Sequence, residues 1–486
     1  MDPLKSFNSN KHLKEEFVSN LSGSSVLEII ALTITVPMLV LIRHSTSATG
    51  AFLKKKNDDA VSKSSNFKAY LSTLSLDFII IVVPMLLCFT IMLLAWIESF
   101  LSIIFQESKL IFHSACVFSV KGKSDIRGRL FIFNLKLRSR LISVLSNWTY
   151  IFTILLMLLT FVCIAAKRTA ASSISIKGEH NSIREYITSY RVVVMIITFL
   201  CILAVDFRIF PRRYAKTETY GTSLMDLGVG SFVLANALVS RQARNITSVN
   251  WKTAIVSISP LITLGFLRLV TTTGVDYQVH VSEYGVHWNF FFTLAAVSIL
   301  TSFVNVPPQY SGIFGLLVLF CLIHGLSAYL LSDERGMDII SQNKEGIHRY
   351  WGMYLVGVQL GNYLIFGSHS SGLRSTKWVQ IRVWILSICN LPYVTSVLAD
   401  NLQLLSILML GDLIPGSKTS VLEEALNRNL LATFLLANIL TGLVNLSVDT
   451  LSASSITALS VLLGYAYILS TAIGTADYFG VKLKFW

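Results

Sequence analysis

The stretch AVDFRIFPRRYAKTETYGTSLMDLGVG, Ala204–Gly230, sets a carboxylate, Asp206, at the end of an apolar run. Arg212, Arg213, Lys216, Glu218 and Asp226 follow it before the next apolar run begins. Ionisable side chains at membrane depth are expensive, so they tend to face an interior cavity and to have a task. Pro211 is expected to break the helix that delivers Asp206. Lys216 lies ten residues beyond Asp206, so the two meet only if the chain folds back. Two acids facing one basic cluster from adjacent helices make a preorganised site, suited to proton transfer and charge stabilisation. The plainer reading makes Arg212, Arg213 and Lys216 positive-inside anchors, with Asp206 paired to one of them.

A second polar cluster is DYQVHVSEYGVHWNFFF, Asp276–Phe292. His280, Glu283 and His287 stand three and four apart, which on a continuous helix invites a zinc reading. The two histidines would then lie roughly 10 Å apart along the axis at 1.5 Å per residue. Gly285 also argues against an unbroken helix, so no metal is expected. Tyr277, Tyr284 and Trp288 are the aromatic types found at headgroup level. The functional reading is a polar wall for a hydroxyl-rich headgroup, with a histidine able to move protons. A third cluster places Asn438, Thr441 and Asn445 as one stripe on an apolar helix, with Asp449 after it. Interhelical hydrogen bonding explains such a stripe, and lining a substrate cavity competes with it. There is no G-x-S-x-G elbow, P-loop or G-x-G-x-x-G fingerprint. An enzyme here would work by direct transfer, assisted by an acid, a base and cations.

The elements that must carry these residues follow from composition. The chain has 486 residues, 53% of them apolar and only 14% charged, with mean hydropathy +0.63. Apolar runs of about 18–23 residues recur, each long enough to cross the hydrocarbon. The expected fold is all-α, a polytopic transmembrane helical bundle of about twelve spans, with eleven to fourteen as the range. The candidates lie near 25–42, 75–97, 147–166, 190–207, 224–240, 253–270, 288–305, 311–331, 350–367, 387–412, 430–448 and 456–475. The net charge of +13 sits mostly in short loops. Topology and anionic lipid explain it better than nucleic acid. The N-terminus has no signal-peptide pattern, and the six cysteines lie mostly inside apolar runs with no CxxC, as packing residues. Of four sequons, those at Asn147 and Asn445 abut or enter apolar runs and are poor glycan acceptors. The tail KLKFW has the spacing of a dibasic endoplasmic-reticulum retrieval signal, if cytosolic.

Several blocks resemble the PIG-W family, the glucosaminyl-phosphatidylinositol inositol acyltransferases of GPI-anchor synthesis. They are CILAVDFRIFPRRYAKTETYGTSLMDLGVGSFV (Cys201–Val233), YQVHVSEYGVHWNFF (Tyr277–Phe291), Asn343–Ile347, Leu435–Asn445 and Glu15–Ile29. The resemblance covers both termini and most of the chain, as one integral-membrane domain over 1–486. Residues 91–143 depart from it and read as an insertion or a gene-model artefact, and the span ahead of Asn390 is shortened. The resemblance implies transfer of a fatty acyl group from acyl-CoA to the inositol ring of glucosaminyl-phosphatidylinositol in the endoplasmic-reticulum membrane. It implies acyl-CoA as a co-substrate with no cofactor, membrane lipids as surroundings, and no obligate protein partner. On that chemistry Asp206 is the general base and Lys216 the oxyanion or electrostatic partner. Arg212 and Arg213 suit a phosphate. Glu218, Asp226, His280, Glu283, His287, Trp288, Asn289, Asn438 and Asn445 are the candidates for binding sugar and inositol hydroxyls. Two alternatives stay open: a lipid or solute transporter using the same polar clusters, and a histidine-dependent acyltransferase in which His287 is essential.

Overall fold

A computed structural model describes residues 16, 17, 19, 21–46, 60–90, 149–169, 183–217, 221–246, 251–273, 288–321, 338–366, 393–415 and 419–481. The proposed insertion at 91–143 and the shortened region before Asn390 lie outside them. The helices are α1 (Val26–Thr46), α2 (Ala60–Asp77), α3 (Val83–Phe89), α4 (Thr149–Thr169), α5 (Ile183–Ala204), α6 (Leu224–Leu238) and α7 (Trp251–Thr273). They continue as α8 (Phe290–Val304), α9 (Ser311–Cys321), α10 (Asp338–Gly361), α11 (Tyr393–Leu408), α12 (Val421–Arg428), α13 (Leu430–Ser447) and α14 (Ser455–Tyr478). No strand occurs among the described residues, where Ser24 and Thr222 make an isolated antiparallel bridge. A π turn over Phe78–Val82 joins α2 to α3. Pro84, which has no N–H to donate, sits just after it and accounts for the widened turn.

The expectation of about twelve spans is not confirmed. Seven described helices are long and apolar enough to cross a membrane: 26–46, 66–89, 149–169, 183–204, 396–413, 430–447 and 455–478. The segments expected at 224–240 and 288–305 give shorter apolar helices, Leu224–Leu238 and Phe290–Val304, and the one expected at 253–270 lies within α7. At 1.5 Å per residue a 15-residue helix covers about 22 Å, short of the roughly 30 Å hydrocarbon. Each starts at a polar N-cap, Ser223 for α6 and Asn289 for α8, which fixes where it begins.

The spans differ in what they face. Most of the apolar stretch is buried in α1 (83%) and α5 (72%), but little of it in α4 (22%) and α13 (17%). Leu155, Leu158 and Leu159 on α4 and Ile439, Leu443 and Leu446 on α13 are exposed, as lipid-facing side chains should be. α5 is the axis of the bundle and packs on α1, α6, α11, α12, α13 and α14. Buried polar pairs hold this interior in register. Thr33 on α1 donates to Asp400 on α11 at 2.6 Å, and Tyr190 on α5 donates to Asn401 at 2.7 Å. Close backbone contacts complete it. A Cβ on Gly230 of α6 would lie 2.7 Å from Val397 on α11, and one on Gly361 of α10 would lie 2.3 Å from the Leu238 carbonyl.

α1 and α5 run antiparallel, so each end of the pair is polar. At one end His44 lies 2.7 Å from Glu423 on α12, Arg43 pairs with Asp77, and Asp77 accepts from the Leu422 N–H. Glu423 also closes a capping box with Ser420. Burial opposes the Glu423 charge. His44 and the Ser420 N–H outweigh it, holding the carboxyl down to about 2. A carboxyl with a depressed folded pKa contributes stability above its unfolded pKa and loses it as pH falls toward the folded one. We therefore expect the detergent-solubilised protein to lose melting temperature as pH falls from about 4.5 toward 2. Glu423→Gln should flatten that part of the curve, and a variant with the wild-type slope would discount this ion pair.

Candidate functional site

The other end of the α1–α5 pair holds the charges of the 204–230 stretch. α5 ends at Ala204, and the chain turns through Asp206 and Pro211 into a short 3₁₀ turn, Arg212–Tyr214. The helix thus ends seven residues ahead of Pro211, which was expected to break it. Arg212 closes the turn from within. Its Nη2 donates to the carbonyls of Val205 (2.7 Å), Phe207 (3.3 Å) and Phe210 (3.3 Å), just beyond the helix end. Its guanidinium stacks 4.0 Å from the Phe17 ring centre. Burial pushes Arg212 down to about 10 while the Asp206 charge opposes that shift, so it stays cationic at neutral pH.

Arg213 faces the opposite way, to Glu28 in the first turn of α1. Nε donates to Glu28 Oε1 at 2.9 Å and Nη2 lies 2.8 Å from it. The Tyr214 hydroxyl donates to the same oxygen at 2.8 Å, and Ser24 donates to the other. Burial pushes the Tyr214 phenol up to about 12, so it remains a neutral donor. The loop is pinned again where Ser24 N and Thr222 N exchange backbone bonds with each other's carbonyls at 2.9 and 3.0 Å. Gly221 sits there at φ +97, and a Cβ on Gly23 would lie 2.7 Å from Thr222 N, so both positions require glycine.

Asp206 is partly buried and reaches across to α13. Asn445 Nδ2 donates to its Oδ2 at 2.8 Å. The structure thus joins Asp206, Arg212 and Asn445. Lys216 lies on the same loop, also partly buried. The remaining candidates are engaged within the scaffold. Asp226 accepts from Thr217 Oγ1 (2.6 Å) and from the Ser223 N–H (3.1 Å), closing the capping box of α6. Asn289 caps α8 by accepting from Phe291 N and Phe292 N, and it donates to the Gly265 carbonyl of α7 at 2.9 Å. Trp288 donates to Thr293 Oγ1 at 3.0 Å, and Asn438 donates to the Phe434 carbonyl of its own helix at 2.7 Å. Glu218, His280, Glu283 and His287 lie outside the described residues. The block that carries Asn289 still approaches the others, because Phe290 and Phe291 pack on Phe434 of α13 and Phe290 on Phe232 of α6. Among the described residues no three His, Cys, Asp or Glu side chains are grouped to hold a metal.

Glu28, Asp400, Asn401 and the His44–Glu423 pair were not singled out from the sequence. All but Glu423, which lies in a polar segment between two runs, are polar residues inside or at the edge of an apolar run, the same signal that exposed Asp206 and Asn445.

The comparisons agree with the blocks that carry these residues. The GWT1 family profile matches residues 10–126 and 130–476. An uncharacterized protein of Arabidopsis thaliana is 49% identical over 485 residues, covering 92% of this chain and 98% of its own length. GPI-anchored wall transfer protein 1 of Gibberella zeae is 31% identical over 558 residues, covering 98% and 99%. The phosphatidylinositol-glycan biosynthesis class W protein of Dictyostelium discoideum is 37% identical over 379 residues, covering 63% and 76%. With its motifs, its helices and this whole-chain match taken together, the chain belongs to the GWT1 family.

Proposed function

We propose that this protein acts in GPI-anchor biosynthesis as an O-acyltransferase of the endoplasmic-reticulum membrane, passing a fatty acyl group from acyl-CoA to an inositol hydroxyl of glucosaminyl-phosphatidylinositol. Family membership and the names of its relatives support the pathway. The observation that carries the chemistry is the partly buried Asp206, held by Asn445 beside the Arg212 charge at the end of a membrane helix. In this reading the Asp206 carboxylate takes the proton of the acceptor hydroxyl as its oxygen attacks the thioester carbonyl carbon. The Lys216 ammonium meets the oxyanion of the tetrahedral intermediate. That intermediate collapses with cleavage of the C–S bond. The thiolate recovers the proton from Asp206 and leaves as free CoA, and the acyl ester remains on the ring.

In this reading the arginines brace the loop. Arg213 is bound to Glu28, and three Arg212 donor contacts close its own loop. Both support a rigid loop for Asp206 and Lys216. The test is purified protein supplied with labelled acyl-CoA and the glycolipid acceptor. We expect label to enter the acceptor with no partner protein added. Movement of lipid across vesicles with no acylation would favour a transporter instead.

A further inference from the structure

We propose that Asn445 is a positioning residue for acyl transfer: its amide nitrogen orients Asp206, and its own carbonyl receives a second hydroxyl of the acceptor ring. This rests on the acyltransferase reading above.

Two observations carry it. The first is the 2.8 Å bond from Asn445 Nδ2 to Asp206 Oδ2, made between α13 and the loop after α5, 239 residues apart. An ionised carboxylate only accepts, so the nitrogen of the amide must face it and Oδ1 must point elsewhere. The second is where that oxygen lies: Asn445 Oδ1 is buried and has no donor among the described residues. A buried carbonyl without a donor is costly and calls for an occupant. Asn438, two turns earlier on α13, shows the ordinary fate of such a side chain, bonded back to the Phe434 carbonyl of its own helix. Asn445 is instead turned outward onto the candidate base.

The acceptor supplies what is missing. A polyhydroxylated ring that brings one hydroxyl to the carboxylate carries another on the adjacent carbon. The carbonyl and amide nitrogen of Asn445 sit side by side, so a single ring can address Asp206 with one hydroxyl and Asn445 with its neighbour. A site built to accept a particular hydroxyl discriminates strongly against an acceptor lacking it. Asn445 thereby helps decide which ring position is acylated.

The experiment uses full-length purified protein, labelled acyl-CoA, the natural acceptor, and an acceptor analogue in which the hydroxyl next to the acylated one is replaced by hydrogen. Asn445→Leu keeps the volume and removes both polar atoms. We expect kcat to fall about 10²-fold as Asp206 loses its orientation, KM for the acceptor to rise about tenfold, and KM for acyl-CoA to stay unchanged. The analogue should slow the wild type about tenfold and slow Asn445→Leu no further. A folded variant with wild-type kcat and acceptor KM overturns the inference. So does an equal rise in donor and acceptor KM, which marks a merely structural role. If the variant fails to accumulate, the wild type with each deoxy analogue decides alone: full rate with every one overturns the proposal. Normal behaviour of Asn445→Leu beside an inactive Asp206→Asn removes this inference and leaves the acyltransferase reading in place. Absence of acylation by the wild type removes both.

Discussion

Asp206→Asn should leave a folded protein whose acyl transfer is about 10²–10⁴-fold slower, the range expected when a positioned general base is lost. The substitution keeps the side chain's shape, and its carbonyl can still accept from Asn445 Nδ2. What disappears is the capacity to take a proton, together with the negative charge beside Arg212. Lys216→Ala should cost about 10²–10³-fold, as for removal of one oxyanion donor. Both are read in microsomes with acyl transfer normalised to protein abundance, with melting temperature as the control for folding. Normal acylation by both variants at wild-type abundance would sink the mechanism.

The largest effect on stability is expected at Glu28. It is 4% exposed and receives Ser24, Arg213 and Tyr214 together. Glu28→Leu leaves the Arg213 guanidinium without its counter-charge and Tyr214 without its acceptor. Breaking a buried pair costs about 3–5 kcal/mol, and Arg213, with 22% of its side chain exposed, belongs at about the lower end of that range. Melting temperature and acyl transfer should fall together, because the loop that holds Asp206 is released, whereas Asp206→Asn lowers transfer alone. Adding Arg213→Met to Glu28→Leu should restore part of the stability, since replacing both partners removes the stranded charge. A Glu28→Leu protein that melts with the wild type would show that the pair does not anchor the loop.

The helical class was legible in composition, because apolar runs of membrane length admit little else. Four of the expected spans, at α1, α4, α13 and α14, were placed to within a few residues. The count of about twelve is not confirmed: α6 and α8 start within two residues of where they were expected, but each is only 15 residues long. Their polar caps were readable: Ser223-Leu-Met-Asp226 has the capping-box pattern, and Asn289 stands directly before an apolar run. Both acids and amides were instead assigned to substrate, because a polar group at a membrane edge has two explanations and spacing does not separate them. Asp206 and Asn445 were singled out separately, but their contact was not legible, since nothing local relates residues 239 apart. Glu28 was hidden for the same reason. Its partners Arg213 and Tyr214 lie 185 and 186 residues away.

The burial of α1 also has a consequence for biogenesis. This helix leaves the ribosome first among the spans described, yet Thr33 bonds to Asp400 and His44 to Glu423, 367 and 379 residues later. At about 5–20 residues per second, roughly 20–75 s of synthesis separate the helix from those partners. Over that interval the helix lacks the two carboxylates that Thr33 and His44 meet in the folded protein. The membrane must hold the opening helix in waiting until the C-terminal third arrives to receive it.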